Sequence, residues 1–425
     1  MNLPEAVAYT VGAANRPLAG SRRRDPMRPL VTIYREAYAG LSRDVWLLAL
    51  VTLVNRAGTM VLPFLTLYLT QHLGFTASRA GIVVALFGVG SMAGSWLGGR
   101  LSDAIDPNRV QALSLVGMAA GFVVLTRLDE FLPIAVAVVV LATIGEAFRP
   151  ALFVAVARSA RPANRARSFA LIRLAINVGM AIAPAAGGLL AVRNYHLLFW
   201  VDAATCVAAA VLVFSVIGPC PAPIATSTAG SPRGARGPWT DLPFIAFLVL
   251  VFTLAGAFFQ LFSTFPLHLR ELYGWRESSI GGLLAVHAGL VALVEMPLVR
   301  SVEHRDPLRV AALGALLVCT GLAVVPLGPP GWVAVLSMLL WTFGEMLALP
   351  MSNAVVAERA DGAATGRYMG AYTLSFSAAL VVAPALGTAV WEHLSPATLW
   401  VAIGVLGPLL AVGFAAVSRR FARGA

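Results

Sequence analysis

Apolar stretches of about twenty residues recur along the whole chain, and this constrains the fold more than any other feature. They fall near 45–70, 79–101, 109–127, 132–157, 168–192 and 196–218. After a break they resume near 242–268, 278–300, 309–327, 332–357, 368–391 and 397–418. A helix needs roughly 20 apolar residues to cross the hydrocarbon core of a bilayer. The short alternating segments of a membrane barrel do not occur. Only 12% of the residues are charged, about half the share of a soluble domain. The expected fold is an all-α polytopic membrane protein with twelve spanning helices.

The break is rich in Pro, Ser, Gly and Ala and has the composition of a linker. The chain therefore divides into an N-terminal segment (1–43), a six-helix bundle (44–218), a linker (219–241), a second six-helix bundle (242–418) and a short tail (419–425). Residues 1–43 are polar and Arg-rich and lack the apolar core of a secretory signal. Residues 31–38 suit a short interfacial helix, and Met27 is an alternative start.

All 31 basic residues are Arg, and the formal net charge is +11. They are spread over short segments between apolar stretches, which argues against a nucleic-acid partner. With both termini inside, only Arg79, Arg127, Arg193, Arg270 and Arg276 lie outside, and only Arg56, Arg149 and Arg173 lie within spans. The other 23 fall inside, so the positive-inside rule places both termini in the cytoplasm. Cys206 and Cys319 lie in spans and Cys220 begins the linker, with no disulfide or metal-ligand spacing.

The two groups of six are copies of one unit. Asp-Ala-Ile-Asp-Pro-Asn-Arg-Val at 103–110 returns as Glu-His-Arg-Asp-Pro-Leu-Arg-Val at 303–310. Gly145-Glu146 precedes Pro150 in the fourth stretch, and Gly344-Glu345 precedes Pro350 in the tenth. Ala-Pro-Ala-Ala-Gly at 183–187 matches Ala-Pro-Ala-Leu-Gly at 383–387, Arg167 matches Arg367, and Trp200 matches Trp400. Parallel halves related by an axis along the membrane normal build one large class of secondary transporters.

Gly99, Leu101 and Asp103, with Arg109 set one position later than the last basic residue, are similar to the motif G-x-L-a-D-r-x-G-r-r between helices 2 and 3 of the major facilitator superfamily. On these residues and the repeat, the chain resembles that family from about residue 44 to 420. Ala104 and Pro107 depart from the motif. The resemblance implies the family's fold, alternating access, and a gating role for this loop and its copy: Asp103, Arg109, Asp306 and Arg309. Gly179, Pro184, Gly187 and Gly188 are similar to the antiporter motif G-x3-G-P-x2-G-G of bacterial drug:proton exporters, with Ala183 in place of a Gly. Small residues let helices approach closely, and Pro bends a span.

Arg56, Glu146, Arg149, Arg173, Glu295 and Glu345 lie well within spans. Each charge at a helix centre costs about 2.5–3.5 kcal/mol, so these groups are expected to pair, protonate or line water. Glu146 and Arg149 share one helix face. The equivalent of Arg149 is Leu349, so Glu345 lacks a local partner. Loss of water disfavours the charged form of a carboxylate, which is what a proton carrier needs. Glu345 is therefore the leading proton-coupling candidate and Glu146 the second, with Arg56, Arg149 and Arg173 as buried charge partners. Glu295, close in sequence to Arg300 and Arg305, suits a gate. His287 is either a packed side chain or a proton-handling group. Asn55, Asn177, Gln260, Phe258, Phe259, Trp341, Asn353, Tyr372 and Phe376 are expected to line an aromatic cavity for amphipathic solutes.

The leading expectation is proton-coupled efflux of small lipophilic or amphipathic compounds at a bacterial inner membrane. The partners are a small-molecule substrate, protons and the bilayer; no cofactor is expected, and a monomer suffices. Proton-coupled import of peptides or similar nutrients is the first alternative, a non-transporting sensor or scaffold the second, and uniport a third. Neither a catalytic cluster nor an ATP-binding loop occurs, so the chain does not read as an enzyme.

Overall fold

The computed structural model describes residues 40–161, 164–218, 238–302, 304–359 and 365–423. Among them, twelve helices are long and apolar enough to cross a membrane. In chain order these are α1 (Arg43–His72), α2 (Ala77–Ala104), α3 (Pro107–Leu125), α4 (Phe131–Ser159), α5 (Arg167–Arg193) and α6 (His196–Ser215). Then come α7 (Leu242–Phe262), α8 (Glu277–Val302), α9 (Pro307–Leu327), α10 (Gly331–Val356), α11 (Arg367–His393) and α12 (Pro396–Phe421). The expected helix at 31–38, Met27 and most of the linker lie outside the described residues.

Large apolar side chains cover the outside of the bundle: Leu293, Val412 and Leu132 are 75%, 70% and 69% exposed. Such a surface suits acyl chains rather than water. Within the first half, α1 packs on α5, α2 on α4 and α3 on α6. The second half repeats these pairs as α7 on α11, α8 on α10 and α9 on α12. The halves meet through α5 with α8 and α2 with α11.

The repeated sequence signals become repeated local structure. Asp106 accepts hydrogen bonds from the Asn108 and Arg109 amides (2.7 and 3.3 Å), and Asp306 from the Leu308 and Arg309 amides (2.9 and 3.3 Å). Each Asp-Pro pair thus places a capping carboxylate before a proline at the first helical position of α3 or α9. Gly74 and Gly274 both have φ 68°, a backbone conformation that L side chains rarely adopt, and both end a helix.

Three helices are interrupted. In α1 the helix stops at Ala57, resumes over Val61–Leu67 and ends in a π turn over Tyr68–His72. In α7 the helix stops at Phe258 and tightens over Phe259–Phe262 before Thr264–Glu271. In α4 the break falls at Ala147, because Pro150 cannot donate to the Glu146 carbonyl and its ring crowds it.

Candidate functional site

A cavity of about 580 Å³ lies between the two halves, lined by both. The first half contributes polar groups: Asn55, Arg56 and Thr59 of α1, Ser91 and Ser95 of α2, Glu146 and Arg149 of α4 and Asp202 of α6. The second half contributes Phe258, Phe259 and Phe262 of α7 and Phe376 of α11, with His287 of α8 and Glu345 of α10. Phe259 and Phe376 meet edge to face with ring centroids 5.0 Å apart.

Glu345 and His287 form the most informative pair. Their side chains are 15% and 13% exposed, and His287 Nε2 lies 3.6 Å from Glu345 Oε2. His287 Nδ1 is 3.0 Å from the Thr342 hydroxyl. That hydroxyl spends its one proton on the Met338 carbonyl at 2.6 Å. It therefore accepts from His287, which fixes the Nδ1–H tautomer. A neutral His287 then turns a bare Nε2 lone pair toward a carboxylate oxygen. Two acceptors facing each other need a proton between them. Trp341, buried behind the imidazole with ring centroids 4.3 Å apart, holds this ring in place.

The other charges are arranged differently. Glu146 pairs with Arg149 at 3.5 Å within α4. Arg173 of α5 pairs with Glu295 of α8 across the two halves. Arg56 has a buried Nε with no hydrogen-bond partner. Asp202 is a seventh charge within the spans, which sequence reasoning missed. Only 1% exposed, it accepts from the Met60 amide (3.0 and 3.1 Å) and the Val61 amide (3.0 Å). These amides restart α1 after its break and have no helical acceptor. The available signal was an acidic residue seven positions into an apolar stretch.

Several expected cavity residues serve elsewhere. Gln260 braces the break in α7: its amide donates to the Ala383 carbonyl (2.9 Å) and accepts from the Thr264 hydroxyl (2.8 Å). Trp341 is fully enclosed, and Tyr372 is buried against Phe247 and Phe376. Asn353 is exposed and bonds its own helix at Leu349. Asn177 is half-buried on α5 and does not line the cavity. Among the gating residues, Asp103 and Arg109 are exposed at the end of α2 and the start of α3. Asp306 caps α9, lies 3.5 Å from Arg309 and accepts from Ser418 of α12.

The glycines and proline of α5 form a packing surface with two sides. A Cβ at Gly179 would sit 2.5 Å from the Arg56 Cβ, and one at Gly187 would sit 3.2 Å from the Met60 Cβ, so both seat α5 on α1. Gly188 faces the Glu277 carbonyl, and a Cβ at Gly281 would sit 2.1 Å from the Pro184 carbonyl oxygen, so this side seats α5 on α8. The α2–α11 contact repeats it: a Cβ at Gly81 would sit 2.7 Å from the Pro384 carbonyl oxygen. Both contacts lie toward the end of the bundle opposite the arginine-rich loops. There Ser78 N–H donates to Glu392 (2.7 Å), the Tyr195 hydroxyl to Glu277 (2.8 Å) and the Gln71 amide to Glu271 (3.3 Å). Each acceptor is a carboxylate of the second half. That end is closed, while the cavity lining reaches Ser95, Arg149 and Phe153 toward the other end.

A family model described as Major Facilitator Superfamily matches residues 46–384. Multidrug resistance protein MdtH of Yersinia pestis (strain Pestoides F) is 26% identical over 368 residues, covering 83% of this chain and 89% of that protein. MdtH of Yersinia pseudotuberculosis serotype O:1b (strain IP 31758) matches to the same extent. The fold is also that of a peptide transporter, POT, solved in complex with sulfate (TM-score 0.74, 16% identity, 91% of this chain and 96% of that one). The nucleoside transporter NupG is a further structural match (TM-score 0.71, 14% identity, 88% and 99%). With the matched region spanning both halves, the chain belongs to the major facilitator superfamily, a family of secondary transporters and not of enzymes.

Proposed function

We propose that this transporter exports small amphipathic compounds in exchange for protons, with Glu345 and His287 carrying the proton. One observation carries the reading: a neutral His287 and an ionised Glu345 would face each other acceptor to acceptor, so the pair holds a proton between them. The pair lines the cavity, where substrate and proton compete for one space. Glu146, tied to Arg149, is the second protonation site.

With the arginine-rich end in the cytoplasm of a bacterial cell, the closed end faces outward and the cavity faces inward. Substrate enters from the cytoplasm and the inner membrane leaflet, and the proton leaves. Outward release follows separation of α5 from α8 and of α2 from α11. Protonation from outside then resets the carrier. Arg173–Glu295 bridges the halves on the inward side and gates that end, together with the loops at Asp103, Arg109, Asp306 and Arg309. One chain contains the whole cavity, so a monomer suffices.

The name of the relative MdtH supports export. Import of peptides or other nutrients is the second reading, because α11 repeats the α5 packing surface and the α5 motif alone therefore does not set direction. The test is a pH-gradient assay in everted vesicles carrying the wild type or Glu345→Gln, with lipophilic dyes and antibiotics added. Compounds that collapse the gradient only with the wild type support the reading. Equal collapse with Glu345→Gln removes the carrier assignment. Resistance to toxic peptides on deletion of the gene would replace export by import.

A further inference from the structure

The charges around the cavity do not balance locally. Glu146 is matched by Arg149, and Glu345 lies 3.6 Å from His287, the pair that needs a proton between its facing acceptors. Glu295 is matched by Arg173, and Asp202 by two backbone amides. Arg56 lines the cavity too, and its buried Nε has no hydrogen-bond partner. A guanidinium is always charged, so it cannot relieve its burial by losing a proton. Leaving it uncompensated in low dielectric is costly. Gly179, directly behind it on α5, brings a second helix against the Arg56 stem and limits its retreat from the cavity.

Phe258, Phe259 and Phe376 of the second half line the same cavity. The space thus holds a guanidinium with an unpartnered Nε together with an aromatic cluster. From this we infer that Arg56 is the docking point for an anionic group, and that the cavity selects amphipathic anions: a carboxylate or similar oxyanion against Arg56 and an aromatic body against the phenylalanines. A planar guanidinium fits a carboxylate with two parallel hydrogen bonds. A cationic ligand would be repelled at the same place. This rests on the reading that the cavity binds substrate, but not on the direction of transport or on the identity of the proton carrier.

The test uses two probes that share one aromatic body. Dansylglycine carries a carboxylate, and dansylglycinamide replaces it by a neutral amide. Their equilibrium affinities are measured at pH 7.5 on the full-length protein in lipid nanodiscs, without a gradient. The wild type should bind dansylglycine about tenfold or more tightly than the amide. Arg56→Gln should abolish that preference while leaving the affinity for the amide, which also reports that the variant is folded. Arg56→Lys should restore part of it, because the charge returns without the planar fork. Equal binding of both probes by the wild type, binding of neither, or a preference that survives Arg56→Gln would each overturn the inference. If Arg56→Gln binds neither probe, Arg56→Lys decides: recovery of the preference supports the role and failure to recover it overturns it. An Arg56-dependent preference without proton-coupled export in vesicles would leave this inference standing and remove the proposed function. Proton-coupled export of cationic dyes with no such preference would do the reverse.

Discussion

Asp202→Ala should loosen the break in α1. The carboxylate accepts from the Met60 and Val61 amides at 3.0–3.1 Å, and both residues are buried. Alanine leaves the buried Val61 donor unmade, at about 1–3 kcal/mol, while the Met60 amide keeps the Gly58 carbonyl at 2.8 Å. Asp202 lines the cavity, so water can replace part of the loss and the lower figure is the safer one. About 1 kcal/mol of local opening speeds amide exchange about fivefold. Hydrogen exchange with mass spectrometry, on a peptide spanning the break, reads this directly in nanodiscs. Asp202→Asn keeps one acceptor oxygen and should fall between alanine and the wild type. Exchange of folded Asp202→Ala at the wild-type rate would refute the assignment of the carboxylate to the break.

Three further perturbations probe other contacts. Gly281→Val should force α5 from α8, because even a Cβ would sit 2.1 Å from the Pro184 carbonyl oxygen; a cysteine at Phe262 should then react faster with an impermeant thiol reagent from the outer side, and an unchanged rate would contradict the packing. Glu392→Gln should weaken the 2.7 Å bond from Ser78 N–H and shift the closed-to-open ratio roughly tenfold; spin-label distances between Leu73 and Leu272 would report it as a larger long-distance population. Asp241, just before α7, is pushed up by burial but held below the usual carboxylate range by hydrogen bonds from Arg359 (2.9 and 3.1 Å) and the Phe244 amide. A depressed carboxyl stabilises the fold above its unfolded-state pKa and loses that contribution as pH falls through its folded-state pKa. Asp241→Asn should therefore lower the melting temperature at pH 7, with the gap closing on acidification below about pH 4; a pH-independent gap would contradict the ion pair.

The count of spans and the halves were legible because apolar length and a repeat at a fixed offset do not depend on contacts. The Asp-Pro repeat also foretold matching helix starts at α3 and α9. Which face each residue takes was not legible. In α10 the apolar residues surround the helix, so periodicity does not separate Glu345, which lines the cavity, from Trp341, which packs behind it. Gln260 was selected for polarity, but the Ala383 carbonyl of α11 and the Thr264 hydroxyl take its amide. The break in α1 falls just before Pro63, as the break in α4 falls before Pro150, but the sequence does not say which acceptor the freed amides take, and Asp202 stands out only as an acidic residue in an apolar stretch. Partners of charges were legible only within a helix, as for Glu146 and Arg149; Arg173–Glu295 and His287–Glu345 join helices far apart in sequence.

The central claim is that the proton rides at Glu345 beside His287. It is tested most directly in proteoliposomes by comparing exchange with accumulation. The substrate is a labelled compound that dissipates the gradient in the vesicle assay. Exchange of labelled for unlabelled substrate needs no net proton movement, whereas uphill accumulation against a pH gradient does. Glu345→Gln should keep exchange and lose pH-driven accumulation. Accumulation at the wild-type level in Glu345→Gln would contradict the account.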